Sequence, residues 1–175
     1  MRFDITSEYS NILPEIKLFQ PSKATDHRGE IWTIWEKENV LPEGLDFNLC
    51  KFTRSTRNVL RGLHGCYDTW KYMCVPEGEV FFAAVDVRRE SPNFLKYQTY
   101  VLSEENHYGV LVPPGFANGH LCLTDRCLYH YMMSYDGKYI EPNEQVVIRW
   151  DDQRLKIPWP TKDPILSSRD KLSNI

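Results

Sequence analysis

The sequence predicts an all-β fold, built as an antiparallel sandwich or barrel. Short segments rich in β-branched and aromatic residues recur at a spacing of about ten residues, and several alternate apolar with polar side chains. Clusters of Gly, Pro, Asn and Asp separate these segments, which is typical of tight turns between strands. The predicted strands are residues 30–36, 48–54, 71–78, 79–88, 95–102, 108–115, 120–125, 126–135 and 145–150.

Little of the chain has a helical pattern. Only residues 103–107 and the C-terminal tail, residues 167–174, combine helix-forming residues over a few positions. The 175 residues contain no repeat and no linker-like stretch. We therefore expect a single domain over residues 1–175, with an N-terminal arm of about residues 1–20 and a short helical tail.

Composition narrows the classes of function. Acidic and basic residues are interspersed and the formal net charge is −3, which argues against a nucleic-acid groove or a polybasic membrane surface. The sequence contains no apolar run that resembles a secretory signal or a membrane span. Its five cysteines form no CxxC pair, so we expect free buried thiols and a cytoplasmic protein.

The stretch RGLHG, residues 61–65, looks like a double-glycine turn that presents His64. A metal site in a small β-barrel would need a second histidine two residues on, because strand side chains alternate between faces, and a further ligand from a later strand. Here Cys66 takes the second position and Asn118 takes the later one. We expect no metal, which leaves a structural histidine or a catalytic base.

Strand alternation places Tyr129 and Tyr131 on one face of the segment 126–135. Either phenol could donate a proton to a bound molecule. Asp170 could orient an imidazole through its second nitrogen. Spacing alone does not show that these groups meet.

Several motifs follow the order and spacing of one known family. They include RGLH, VDVRRESP, LSEEN, PPGFA, IPWP and LSSRD, and the match extends from about residue 17 to residue 172. On these motifs the chain closely resembles the dTDP-4-dehydrorhamnose 3,5-epimerases. The resemblance implies a cupin-type jelly-roll barrel of antiparallel strands, a homodimer, a cytoplasmic location, and activity without metal or organic cofactor.

The resemblance also implies a mechanism on a nucleotide-linked 4-keto sugar, whose ketone acidifies the C–H bonds at C3 and C5. His64 would remove the proton as a base, with Asp170 as its carboxylate partner. Lys71 would stabilise the enolate oxygen. Tyr131 would return a proton on the opposite face of the ring, and Tyr129 is the alternative acid.

Basic residues are expected at the diphosphate, because guanidinium groups match phosphate oxygens. Arg28 and Arg61 match family positions that engage the nucleotide end, and Arg57 is a weaker candidate. Glu30 is expected either at the sugar or base, or in a solvated turn. If the N-terminal arm exchanges between subunits, Arg28 would serve the neighbour's site.

The chain departs from the family pattern at polar positions of the pocket. Leu49 and Lys51 replace a glutamine and an asparagine. Asn118 replaces a histidine, and His120 replaces a phenylalanine. Since buried sites are strict about polar partners, these changes argue against the standard thymidine-linked 6-deoxyhexose. They resemble a branch that inverts C3, C5 or both in GDP-linked 4-keto heptoses for capsule or lipopolysaccharide synthesis, with Lys51, Asn118 and His120 binding the substrate.

Three alternatives stay open on the sequence. One is the standard 3,5-epimerase of dTDP-4-keto-6-deoxyglucose. Another is a sugar 3,4-ketoisomerase, which would use a pair of pocket histidines such as His64 and His120. The last is a sugar-nucleotide-binding domain without catalysis, because jelly rolls serve many unrelated functions.

Overall fold

The computed structural model describes residues 5–9, 11–40 and 42–175, and these ranges form mostly β-strands. The strands are β1 (Ile5–Tyr9), β2 (Lys17–Pro21), β3 (Lys23–Asp26), β4 (Gly29–Trp32), β5 (Leu49–Thr56), β6 (Leu60–Cys66), β7 (Thr69–Glu77), β8 (Glu79–Asp86), β9 (Tyr97–Ser103), β10 (Gly109–Val112), β11 (Phe116–Cys122), β12 (Arg126–Tyr135) and β13 (Val146–Val147). A short helix, α1 (Lys37–Val40), and a 3₁₀ helix, Arg169–Lys171, complete the described elements. The predicted all-β fold is confirmed.

The strands form two antiparallel sheets that pack face to face, as in a jelly roll. One sheet has six strands in the order β1-β2-β10-β7-β12-β5, and the other has five in the order β13-β6-β11-β8-β9. A separate hairpin joins β3 to β4. No helix in the described part of the chain has the length and apolar character needed to cross a bilayer.

The main hydrophobic core lies between the two sheets. Met73 of β7 and Val110 of β10 meet Phe82 of β8 and Phe116 of β11, and each is at most 1 % exposed. Complete burial of a side chain of this kind contributes about 1.5–3 kcal/mol. This core holds the sheets together beside the cavity described below.

A second core covers the outer face of the five-stranded sheet. Leu63, Val85 and Ile148 pack there against Ile157 and Trp159 of the C-terminal segment. This segment is anchored on the sheet, and the chain that follows it runs beside β6. The 3₁₀ helix with Asp170 therefore lies next to the strand that carries His64.

The prediction of a double-glycine turn at residues 61–65 is wrong, because these residues belong to β6. Their glycines allow the backbone of β6 to pack closely against β11. A Cβ on Gly62, whose φ is 117°, would lie 2.5 Å from the Cα of Gly119, and one on Gly65 would lie 2.7 Å from the carbonyl oxygen of Phe116. Only glycine combines that backbone angle with so short an approach between strands.

Other local predictions also differ from the structure. Residues 104–106 form a turn and not a helix, because the side chains of Ser103 and Asn106 bond to each other's backbone N–H groups at 3.1 and 3.2 Å. The tail forms only the short 3₁₀ helix. The strand predicted at residues 30–36 ends at Trp32. Strands β1, β2 and β3 and helix α1 were not predicted.

The contact between β6 and β11 can be tested with two glycine variants. Gly29 also has a positive φ, 121°, but a Cβ there would meet nothing within 4 Å, so Gly29→Ala is the matched control for backbone strain. We expect that variant to lower the free energy of unfolding in urea by about 1–3 kcal/mol. Gly62→Ala should lower it by at least about 1–3 kcal/mol more through overpacking. Equal losses would contradict the close contact.

Candidate active site

A cavity of about 300 Å³ opens between the two sheets. The predicted site residues that line it are Arg61, His64, Lys71, Asn118, His120, Tyr129, Tyr131 and Asp170. His64 comes from β6 of the five-stranded sheet, and Tyr131 comes from β12 of the six-stranded sheet. The fold therefore brings a candidate base and a candidate acid to one cavity from opposite sheets.

Asp170 lies directly beside the His64 ring. Its Oδ1 is 2.9 Å from His64 Nε2, and only 4 % of its side chain is exposed. The ring N–H does not point along this line, so the pair makes a close polar contact rather than an aligned hydrogen bond. Such contacts are often loosely aligned before substrate binds. With the carboxylate at Nε2, the other ring nitrogen, Nδ1, is left to accept a proton.

The carboxylate of Asp170 is held in place by the backbone and by a serine. Oδ1 accepts a hydrogen bond from the N–H of Gly62 at 3.1 Å, and Oδ2 accepts one from Ser167 Oγ at 2.6 Å. Burial favours the neutral acid, but the contacts with His64, Ser167 and Gly62 outweigh it and lower the pKa of Asp170 to about 2. The group is therefore an anion at any physiological pH.

His64 is neutral in this setting. Burial lowers its pKa below the ordinary value of 6.5 and outweighs the opposing influence of Asp170. The positive charges of Arg169 and Lys71 lower the pKa of His64 further. A neutral imidazole can accept a proton at neutral pH, which a protonated one cannot do.

Lys71 is a buried cation next to this pair, only 7 % exposed. Its Nζ donates hydrogen bonds to the backbone oxygen of His64 and to Oδ1 of Asn118, both at 3.1 Å. Burial lowers the pKa of Lys71. Within the described ranges no carboxylate pairs with this ammonium group, so its charge is available to an anionic atom in the cavity.

The two tyrosines of β12 occupy different environments on the same face. Tyr131 is partly buried, and burial raises its pKa above 10 although Lys51 acts in the opposite direction. Tyr129 is 3 % exposed, and burial raises its pKa still more strongly. Its ring is stacked on His120, with centroids 3.9 Å apart. Tyr131 is therefore the phenol that a bound molecule can reach more easily.

Four predicted residues lie outside the cavity lining. Arg28 pairs with Asp26 in the turn of the β3–β4 hairpin. Glu30, in the same hairpin, contacts Lys23 and His107.

Arg57 binds Asp125 at 3.0 Å on the surface. Lys51 lies at the rim, where its Nζ is 4.6 Å from the ring centroid of Tyr139, a residue of the cavity wall. Leu49, the other altered position on β5, does not line the cavity.

Several cavity residues were not predicted. The polar ones are Thr53, Tyr139, Gln145, Ser167 and Arg169, and the others are Met73, Gly119 and Met133. Arg169 donates a hydrogen bond from Nη2 to Gln145 Oε1 at 2.9 Å and adds a cation to the site. The LSSRD motif contained the signal for Ser167 and Arg169, but only its aspartate was used. Nothing in the sequence indicated that the loop before β13 would reach the cavity.

No three side chains of His, Cys, Asp or Glu converge as a metal site would require, over the residues that the structure describes. Cys66 is buried in β6 as a free thiol. The cavity wall supplies two imidazoles, one carboxylate, three phenols and three cations: Arg61, Lys71 and Arg169.

Comparison with known proteins identifies a family. The family model described as dTDP-4-dehydrorhamnose 3,5-epimerase matches residues 10–174. The dTDP-4-dehydrorhamnose 3,5-epimerase of Neisseria gonorrhoeae is 36 % identical over 90 % of the chain, which spans about half, 49 %, of that relative. The enzyme of the same name from Shigella flexneri is 32 % identical over 90 % of the chain and 89 % of its own length.

A solved structure agrees with these relatives. The crystal structure of the dTDP-6-deoxy-D-glucose-3,5-epimerase of Legionella pneumophila, in complex with dTDP-4-keto-L-rhamnose, superposes with a TM-score of 0.86 at 30 % identity. The alignment covers 97 % of this chain and 90 % of that one. The chain therefore belongs to the dTDP-4-dehydrorhamnose 3,5-epimerase family of isomerases.

Proposed function

We propose that the chain inverts C3, C5 or both in a nucleotide-linked 4-keto sugar. His64 removes a proton from the carbon, and Tyr131 donates one to the same carbon from the opposite face. The observation that carries this proposal is the shared cavity, which a neutral imidazole and a phenol enter from opposite sheets. A base and an acid on opposite sides of a sugar ring are what inversion at carbon requires. A binding domain without catalysis would not need the buried His64–Asp170 contact.

The proton transfers follow from the ketone at C4. Nδ1 of His64 takes the proton from C3 or C5, and the electron pair of that C–H bond moves into the C4 carbonyl to give an enolate. The ammonium group of Lys71 stabilises the developing negative charge. The enolate then collapses as Tyr131 donates its proton to the same carbon from the other face. Solvent returns a proton to Tyr131 and removes one from His64.

The cations on the cavity wall favour a diphosphate substrate. Arg61 uses Nε to donate a hydrogen bond to Ser55 Oγ at 3.0 Å, which leaves its two terminal nitrogens for phosphate oxygens. Arg169 lies on the same wall with one terminal nitrogen on Gln145. Arg57 is less suited to this role, because Asp125 already pairs with it at the surface.

The nucleotide and the sugar are the finer part of the proposal. The named relatives and the bound ligand of the Legionella enzyme favour a dTDP-linked 4-keto-6-deoxyhexose. The altered polar positions favour a GDP-linked 4-keto heptose for capsule or lipopolysaccharide synthesis. Asn118 is engaged by Lys71, and His120 adds a polar group where the family pattern has an apolar ring. Both substrates suit the same proton transfers.

Incubation with dTDP- and GDP-linked 4-keto sugars in deuterated buffer tests the reaction. We expect deuterium at C3, C5 or both, detected by mass spectrometry and NMR, with the carbonyl still at C4. His64→Gln should lose at least about a thousandfold in exchange rate, within the range that a general base contributes, and keep its binding of sugar nucleotide. Movement of the carbonyl to C3 would indicate a ketoisomerase instead.

Tyr131→Phe separates the acid from the base in the same experiment. Because His64 remains, we expect deuterium to enter the substrate with retention of configuration, while inversion falls by about a hundredfold or more. Tyr129→Phe is the matched variant on the same strand; it keeps the acid and, at saturating substrate, should retain far more inversion than Tyr131→Phe. Loss of inversion in Tyr129→Phe alone would show that the alternative tyrosine is the acid.

The pH dependence of kcat/KM follows from the two pKa shifts. Activity needs neutral His64, so it should fall as the pH drops through a pKa below 6.5. It also needs the ammonium form of Lys71, whose pKa burial lowers, so the alkaline fall should begin below pH 10.5. Asp170→Asn removes an influence that raises the pKa of His64 and should move the acid limb to lower pH. An acid limb above pH 6.5 would contradict this arrangement.

We also propose a homodimer in which the β3–β4 hairpin of one subunit reaches the cavity of the other. The support is that Arg28 and Glu30 lie in that hairpin, away from the cavity of their own chain. A mixture of Arg28→Ala and His64→Gln chains should then contain heterodimers with one intact site. We expect activity to return on mixing, and a single-chain mass in sedimentation equilibrium would exclude the proposal.

A further inference from the structure

His120 and Tyr129 form a polar pair in the cavity wall. Their rings are nearly parallel, at 14°, with centroids 3.9 Å apart, and both residues line the cavity. They come from β11 and β12, in opposite sheets. The Tyr129 ring is also 6.1 Å from that of Tyr131, so the pair adjoins the candidate acid.

Both members of the pair carry a polar atom without a partner. Nε2 of His120 and the hydroxyl oxygen of Tyr129 are buried and make no hydrogen bond with any residue that the structure describes. The two residues are 4 % and 3 % exposed. Buried polar groups are paired in the large majority of cases, and unpaired ones in a native protein commonly mark a role outside its own packing. Two such atoms in adjoining side chains at one cavity call for a common explanation.

The charge state of the pair limits what it can bind. Burial lowers the pKa of His120 to about 3, so its imidazole is neutral at neutral pH. Burial also keeps the phenol of Tyr129 protonated. A neutral imidazole and a phenol match a neutral group that both donates and accepts, which describes an alcohol. A phosphate would bind more strongly to the cations Arg61 and Arg169 in the same cavity.

We propose that His120 and Tyr129 form a subsite for one hydroxyl group of the sugar and so determine which sugars the enzyme accepts. This inference rests on the proposed function, because the sugar is the part of the substrate that lies beside the acid. Both polar atoms are buried, and a small side-chain movement on binding, which is common at binding sites, exposes them to the ligand. The hydroxyl is the one on C2 or the one on the C5 substituent.

Equilibrium binding of stable sugar nucleotides tests the subsite without any turnover. Isothermal titration would compare dTDP-glucose with its 6-deoxy and 2-deoxy analogues, and the corresponding GDP-linked set. The wild-type protein should bind one of the deoxy analogues about tenfold more weakly than the parent sugar, which corresponds to the loss of one hydrogen bond in a buried site. The analogue that loses affinity identifies the hydroxyl.

The variants His120→Phe and Tyr129→Phe remove the polar atoms and keep the stacked rings. We expect the tenfold preference to fall to within about twofold in the double variant. We also expect the melting temperature of the free protein to rise, because each variant removes an unpaired buried polar atom. Met133→Leu changes an apolar residue of the same wall and should leave the preference unchanged.

Two results would overturn the subsite. One is a wild-type protein that binds none of these sugar nucleotides or binds parent and deoxy forms equally. The other is a preference that survives the double variant, together with a lower melting temperature, since that would make the pair a packing feature. A protein that exchanges no deuterium but shows the preference would refute the epimerase and leave the subsite standing.

Discussion

One carboxylate oxygen of Asp170 joins the backbone of β6 to the imidazole of His64. The atom accepts the N–H of Gly62 at 3.1 Å and lies 2.9 Å from His64 Nε2. Gly62 is also the residue whose missing side chain lets β6 pack against Gly119 of β11. The same short stretch of backbone therefore sets the spacing of two strands and the position of the anion. Displacement of either strand would move His64 away from Asp170.

Burial then decides the charges in the site. It lowers the pKa of His64 and of Lys71, and it opposes the ionisation of Asp170. Asp170 remains charged against burial because a backbone N–H and a serine hydroxyl both donate hydrogen bonds to it, whereas the His64 ring stays neutral. The result is an anion beside a neutral imidazole. That combination suits proton abstraction, since the carboxylate stabilises the imidazolium that forms.

The sequence predicted the strands that alternate or carry dense apolar runs, including β7, β8 and β12, because their pattern is local. It did not predict β6, whose glycines look like turn residues until the close approach of β11 is known. The residues of the site also separate into those that local sequence indicates and those that depend on tertiary packing. His64 and Asp170 were found through motifs, and Tyr131 through strand alternation and the family resemblance. Tyr139 and Gln145 come from a loop whose path depends on tertiary packing.

The polar departures of the sequence become interpretable only in this geometry. Asn118 stands where the family pattern has a histidine. Its amide oxygen accepts a hydrogen bond from Lys71, so this polar group has a partner within the protein. His120 is different, because its Nε2 has no partner in the part of the chain that the structure describes. A polar group that the free protein leaves unpaired at a cavity lowers its stability, and a ligand that pairs with it recovers that free energy on binding. Selectivity among sugars should therefore depend more on His120 than on Asn118.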